Sequence, residues 1–349
     1  MKLLLLTMLA LATYAGELRV ERVFGPEIPT GRYKHPASIT AFDNGDLYLV
    51  YYGGAGEYAV NTGVFGSRYR DGKWSIPKLV ASDPFRSVGN GVAWQAPDGL
   101  VWLFYVVRYG STWSTSRIQA KVSKDHGETW SDSFVVSNVE GMMVRNKPIV
   151  LDTGEYMLPA YHETGNNTEI VGPDSTSRFL VFDPKGKTKE WVERGAIRSK
   201  TGNIQPGVVQ ISKAYLIAYC RRGGGYGPVD DGYLVRSQST DDGNTWREGN
   251  NSQFPNPNSA IEFLKLKGGG LLLIFNDSMS QRTPLTAALS LDSDKTWPHR
   301  RNIADQPKQS FAYPSAVQTR DGKIHLVYTS DGRTTIHHAV FDEEWVKGQ

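Results

Sequence analysis

Ser239-Thr240-Asp241-Asp242-Gly243-Asn244-Thr245-Trp246 decides how this chain is read, because it recurs. Ser123-Lys124-Asp125-His126-Gly127-Glu128-Thr129-Trp130 keeps every defining position, and Ser290-Leu291-Asp292-Ser293-Asp294-Lys295-Thr296-Trp297 has Asp294 where the other two have glycine. A worn copy, Ser67-Arg68-Tyr69-Arg70-Asp71-Gly72-Lys73-Trp74, lies upstream. Asp followed by Gly between strand-like runs is hairpin chemistry, since the Asp side chain caps backbone N–H groups and Gly takes φ > 0. These repeated carboxylates are therefore fold markers, occupied with backbone, rather than calcium loops or catalytic acids.

Working outward, six segments share a polar turn followed by an apolar or aromatic run: 43–52, 97–105, 152–158, 212–219, 268–275 and 320–328. Each follows a short extended run, which makes a hairpin. Six of the nine tryptophans (Trp74, Trp130, Trp191, Trp246, Trp297 and Trp345) each close a third strand-like run, one per unit, at intervals between 48 (345 − 297) and 61 (191 − 130) residues. A period of about 50 residues with several strands and no helical periodicity predicts an all-β, six-bladed β-propeller with four-stranded blades. The first unit is short of a fourth strand. Glu17 to Val23, which alternates apolar and charged residues, is expected as an outer strand completing a blade from the other end of the chain.

Met1 to Ala15 has one basic residue, Lys2, an apolar run from Leu3 to Ala12 and small residues at Thr13 and Ala15. This reads as a cleaved signal peptide, leaving residues 16–349 as a single propeller domain in a secreted or periplasmic protein. No run reaches the ~20 apolar residues of a membrane span. The one cysteine, Cys220, leaves stability to the core. A net charge of +3 without a lysine or arginine cluster gives no reason to expect nucleic-acid binding. The histidines are scattered without ligand spacing, so neither metal nor cofactor is expected. A monomer is expected.

Propeller geometry puts the first residues of the innermost strands and the second connection of each blade on one rim, and the tight first turns with the Asp/Gly boxes on the other. The first rim carries Lys34, His35, Asn90, Arg145, Asn146, Lys147, Gln205, Asn258 and Tyr313, with Glu57, His162, Glu163, Arg221, Arg222, Arg282 and Arg333 from connections. Its excess of cations favours an anionic ligand. Arg145 reads as a solvent-facing charge, and Asn90, Asn146 and Asn258 as groups that satisfy backbone as readily as ligand.

The boxes, the six units, and segments such as Asn256-Pro257-Asn258-Ser259, Arg282-Thr283-Pro284-Leu285 and Tyr313-Pro314-Ser315 resemble the sialidase superfamily, in its branch of BNR-repeat sialidase-like proteins. The resemblance covers essentially the whole mature chain. It implies three arginines on a substrate carboxylate, a tyrosine nucleophile assisted by a glutamate, and an aspartate acid/base. Arg282 matches the last arginine, Arg221 or Arg222 the middle one, and Tyr313 the nucleophile. Three positions depart: Lys34 or His35 stands for the first arginine, Gln205 for the glutamate and Asn61 for the aspartate region. Gln205 cannot take a proton from Tyr313, and Asn61 cannot be a general acid. A hydrolase therefore requires Glu57, Glu163, Asp230 or Asp231 to substitute from a neighbouring loop.

Three functions follow from these residues. The first is a glycoside hydrolase, a sialidase-like exo-glycosidase acting on an acidic oligo- or polysaccharide, with Tyr313 as nucleophile, Glu57 as a candidate acid/base, and Arg221, Arg222 and Arg282 clamping the sugar carboxylate. Lys34, Asn146, Lys147, Gln205, Asn258 and Arg333 complete the expected binding set. The second is a polysaccharide lyase on uronic-acid glycans, with His35 or His162 abstracting the C5 proton and Tyr313 protonating the leaving oxygen. The third is a glycan-binding propeller without catalysis, which Gln205 and Asn61 favour.

Overall fold

The computed structural model describes residues 16–167 and 170–348, so the expected signal peptide, residues 1–15, lies outside the described residues. Six antiparallel sheets follow one another along the chain. Their innermost strands begin at Tyr33–Ala41, Val88–Gln95, Met142–Val144, Asn203–Ser212, Glu262–Lys265 and Ala312–Gln318. The first of these packs against both the second and the sixth, which closes the ring. This is a six-bladed β-propeller.

The apolar runs found in the sequence are the second strands of the blades. Leu47–Gly54, Val101–Arg108 and Leu271–Asn276 are buried at every position. A strand covered on both faces by neighbouring blades has no polar side to alternate with. Aromatic rings fill the space between blades: Trp102 packs on Phe182 and Trp191, and Phe179 stacks on Trp246 with centroids 4.4 Å apart.

The N-terminal strand completes the blade built by the other end of the chain, as expected, while the first blade's missing fourth strand and the place of Trp345 differ from expectation. Arg19–Phe24 pairs antiparallel with Thr335–Phe341 and is the outer strand of the sixth blade. The first blade builds its own outer edge from Lys73–Trp74 and Lys78–Ser82, both paired with Gly63–Arg70. Trp345 closes no strand. It lies on the short helix Glu343–Lys347, whose N-cap Asp342 accepts the Trp345 backbone N–H. That helix follows the outgoing third strand because the fourth position is already filled by the N-terminal strand.

The boxes join third to fourth strands and hold their shape internally. Asp241 accepts the Thr245 backbone N–H at 2.9 Å and the Thr245 hydroxyl at 2.6 Å, while Ser239 Oγ accepts the Gly243 N–H at 2.9 Å. Asp242 N–H donates to the carbonyl of Ala214, in the first turn of the same blade. Boxes and first turns thus share one face, as the sequence predicts. In the third copy Asp294 takes φ 76° in place of glycine. Its carboxylate accepts the Tyr219 hydroxyl at 2.6 Å and Arg236 Nε at 2.7 Å, which offsets the strain.

At the opposite face the inner strands share a device. Asn90, Gln205, Asn258 and Tyr313 all have φ between 47° and 56°, and the ladder register shifts at Gly89/Val92, Ile204/Gly207 and Ala312/Ser315. A further shift flanks His35. An extra residue in one strand bends it and re-aims a side chain. Here four blades turn one polar or aromatic group each to the mouth of the ring.

Candidate active site

A cavity of about 600 Å³, open mouth included, occupies that mouth. His35, Glu57, Glu163, Gln205, Arg221, Tyr313 and Arg333 line it, and Asn90, Tyr161, Trp113 and Tyr226 are among the rest of the wall.

Tyr313 is the centre of the arrangement. Its hydroxyl accepts a hydrogen bond from Arg221 Nη1 at 2.9 Å, and its ring lies 5.6 Å from the Arg282 guanidinium carbon and 5.4 Å from that of Arg145. Burial on its own would raise the phenol pKa, but Arg221, Arg282 and Arg333 outweigh it and hold the phenol below its ordinary 10.0. Arg221 is itself fixed by Gln205 Oε1 at 3.2 Å on the innermost strand of its own blade and by Asn258 Oδ1 at 2.6 Å just before the innermost strand of the next. Gln205 Nε2 and Asn90 Nδ2 both approach the Tyr161 hydroxyl, at 3.4 and 3.1 Å.

Two carboxylates enter the cavity in different states. Glu57, on the loop after Leu47–Gly54, accepts from Arg333, from the Tyr33 hydroxyl at 3.1 Å and from Trp113 Nε1 at 3.2 Å. Glu163, just beyond Tyr156–His162, has no such donors among the described residues. Burial pushes its carboxyl up to about 7, with Arg221 opposing and Glu57 reinforcing the shift. One carboxylate is thus a fixed acceptor and the other a group that exchanges its proton near neutrality. Asp231 instead pairs with Lys200 and Asn251 outside the cavity, and neither it nor Asp230 lines the wall.

The tautomer of His35 follows from its neighbours. Thr329 Oγ1 lies 2.8 Å from His35 Nδ1 and 3.1 Å from the Ala312 carbonyl, and where its one hydrogen goes to the carbonyl, Nδ1 is the donor to it. In that arrangement His35 Nε2 is the unprotonated nitrogen, and it has no hydrogen-bond partner among the described residues. Burial, then the charges of Arg333, Arg282, Arg145 and Arg221, keep the imidazole neutral well below its ordinary pKa. Its ring stands edge-on to Tyr313 with centroids 4.2 Å apart.

The remaining expected residues lie elsewhere. Lys34 points away from the axis and donates to the carbonyls of Gly31 at 2.5 Å and Ile28 at 3.3 Å. Arg222 pins the glycine loop after its strand through the carbonyls of Gly223, Gly225 and Gly227, each at 3.0 Å. Asn146 donates to the Pro206 carbonyl at 2.8 Å, and Lys147 bridges Glu262 at 2.9 Å and Ser315 at 3.1 Å across the channel below the cavity. Asn258 supports Arg221 from behind. His162 ends its strand between Met142 and Thr176 and does not line the cavity. Arg282 lines an adjoining chamber rather than this one.

Arg145 overturns its solvent-facing reading. It is 1% exposed, and Nη2 donates to the carbonyls of Tyr313 and Pro314. Tyr161 carried no sequence signal, since a tyrosine in an apolar run reads as core. Among the described residues, no group of three or more His, Cys, Asp or Glu side chains is placed to hold a metal ion. No helix among them is long and apolar enough to cross a membrane.

A propeller built from Asp/Gly boxes with an arginine-ringed tyrosine at its mouth defines a class, and sequence comparison agrees with it. The family model for the BNR repeat-like domain matches residues 45–326, and the chain belongs to that family, within the sialidase-like superfamily. Similar solved structures include a Hadza microbial sialidase (TM-score 0.78, 14% identity, 94% of this chain and 69% of that one). The intramolecular trans-sialidase from Ruminococcus gnavus is also similar (TM-score 0.75, 14% identity, 94% and 98%). So is an alpha-L-arabinofuranosidase from Fusarium graminearum (TM-score 0.63, 14% identity, 91% and 96%). At these identities the likeness is one of fold. No curated protein matches the sequence.

Proposed function

We propose that the chain is an exported glycoside hydrolase acting on an acidic sugar, with Tyr313 as nucleophile and Glu163 as general acid/base. The observation that carries this reading is the Tyr313 hydroxyl on Arg221 Nη1 at 2.9 Å, in a cavity that also holds a carboxyl with a pKa of about 7. Three guanidinium groups favour the phenolate, so the phenol gives up its proton to solvent without the glutamate that Gln205 replaces. The phenolate oxygen attacks the anomeric carbon as the glycosidic C–O bond breaks, and protonated Glu163 delivers its proton to the leaving oxygen. The resulting Glu163 carboxylate takes a proton from the water that releases the sugar. Arg221, which has no carboxylate partner among the described residues, supplies charge for the acid group of the sugar.

A second reading, β-elimination from a uronic acid, is favoured by one observation, a buried His35 Nε2 beside Tyr313 with no hydrogen-bond partner among the described residues. Its depressed basicity argues for the hydrolase. Purified protein incubated with sialosides and uronic-acid polysaccharides separates the two. Release of reducing sugar without ultraviolet-absorbing unsaturation supports the hydrolase. An unsaturated product overturns it.

A further inference from the structure

The cavity holds a second buried phenol that the proposed reaction leaves unused. Tyr161 is 1% exposed and lies in the cavity wall. It shares one face of its strand with Glu163, because residues two apart in an extended run point the same way. The run stays extended to that point: the Glu163 backbone N–H donates to the Gly141 carbonyl at 2.9 Å, one step beyond the pairing of Met142 with His162. Phenol and carboxyl therefore enter the cavity side by side, while His162 between them does not line it.

Gln205 decides what the Tyr161 hydroxyl can do. Arg221 Nη1 can only donate, so the amide oxygen of Gln205 must be the end that meets it at 3.2 Å. That turns Gln205 Nε2 toward the Tyr161 oxygen, which accepts at 3.4 Å. Asn90 Nδ2 meets the same oxygen at 3.1 Å, aimed there from a backbone φ of 47°. With both amides donating, the phenol hydrogen has no acceptor among the described residues. A glutamate at position 205, as the sialidase resemblance implies, would accept that hydrogen. The amide leaves it free for the cavity.

The two phenols of the cavity are held in opposite states. At Tyr313 burial is outweighed by Arg221, Arg282 and Arg333, and the phenol falls below its ordinary 10.0. At Tyr161 burial is reinforced by the charge of Glu163, and the phenol rises well above that value. One is suited to attack, and the other to donate a hydrogen bond without losing its proton.

We infer that Tyr161 is a further catalytic residue, donating a hydrogen bond to the leaving oxygen of the glycosidic bond beside Glu163. This rests on the reading of Glu163 as the general acid. The electrons of the breaking C–O bond pass to the leaving oxygen, and the proton that ends there comes from Glu163. Tyr161 keeps its own hydrogen throughout, and its hydrogen bond strengthens as negative charge develops on that oxygen. A poor leaving group, which carries more of that charge unaided, gains most from the contact.

The test uses the full chain with 4-nitrophenyl and unsubstituted phenyl glycosides of N-acetylneuraminic, glucuronic and galacturonic acid, in both anomeric forms. The quantity read is the ratio of kcat/KM for the nitrophenyl glycoside to that for the phenyl glycoside of the same sugar. This ratio is independent of how much of a variant is folded, so a merely structural role of Tyr161 would not move it. For the sugar that is turned over, Tyr161→Phe should raise the ratio by roughly five-fold, the size of one net hydrogen bond. Glu163→Gln should raise it too. A ratio unchanged in Tyr161→Phe but raised in Glu163→Gln overturns the role of Tyr161 and leaves the hydrolase reading standing. A ratio unchanged in Glu163→Gln, or no turnover of any of these glycosides by the wild type, overturns the hydrolase reading and this inference with it.

Discussion

Arg145 reaches from the third blade across the axis of the ring to Tyr313 on the sixth, donating Nη2 to the Tyr313 carbonyl at 2.8 Å and the Pro314 carbonyl at 2.9 Å. Tyr313 has φ 55° there, a conformation costly for a bulky residue unless its surroundings impose it. Arg145→Met should leave both carbonyls unsatisfied, lower stability by about 1–3 kcal/mol, and reduce kcat by roughly ten-fold through misplacement of the phenol. Arg145→Lys should restore part of the stability and less of the rate, since an ammonium lacks the planar fork. Thermal melts and kcat on one substrate check both, and equal effects on folding and rate by the two variants would deny the positioning role.

Glu163 gives a pH signature. With its carboxyl at about 7 in the folded protein against an ordinary 4.5, the acid form should be lost above about pH 7 and leave a limb there in kcat/KM. Glu163→Gln should remove that limb. The raised pKa also means stability that is full below about pH 4.5 and declines as pH rises through 7. Wild type should therefore lose about 1–3 kcal/mol relative to Glu163→Gln over that window, measurable by denaturant titration at pH 5 and 8.

The N-terminal closing strand carries an acid-sensitive contact. Glu21 Oε1 meets His338 Nδ1 at 2.9 Å, and His338 Nε2 meets His325 Nδ1 at 2.9 Å. Burial first and His338 second depress His325 to about 4, with Asp321 and Glu21 opposing. A lowered histidine contributes stability above about 6.5 that is lost as pH falls toward 4. His325→Gln should flatten the melting-temperature profile between pH 6.5 and 4, by about 1–3 kcal/mol at the acid end. Deletion of 17–23 should lower the melting point of the whole ring in one transition, and fraying of one edge with the main transition unmoved would contradict closure.

Asp241→Ala removes the acceptor of Thr245 N–H, Thr245 Oγ1 and Ser239 Oγ. It should cost about 1–2 kcal/mol and leave kcat unchanged, because the box lies on the face opposite the cavity. Loss of activity at full stability would contradict the reading of the box as a fold marker.

The fold was legible because its signals are local: an Asp capping its own turn and an apolar run buried on both faces each declare themselves within a few residues. The site was legible as a rim and less so as individual side chains. Neighbours in a strand point to opposite faces, so of Lys34 and His35 only the second reaches the cavity, and of Arg221 and Arg222 only the first. Spacing cannot choose between such pairs without the register, and the bulges at the inner strands shift the register at the decisive positions. Glu163 stood among four candidate carboxylates because its distinction is burial, which the sequence does not encode locally. Arg145 was misjudged because its acceptors lie on a blade 168 residues away.

Replacing Tyr313 by Phe tests the central claim most directly, with turnover of an acidic glycoside and binding of its free sugar measured on the same protein. The account predicts a fall in kcat of roughly a thousand-fold or more, as expected when a nucleophile is removed, with the dissociation constant changed by no more than a few-fold. Undiminished turnover by Tyr313→Phe would contradict it.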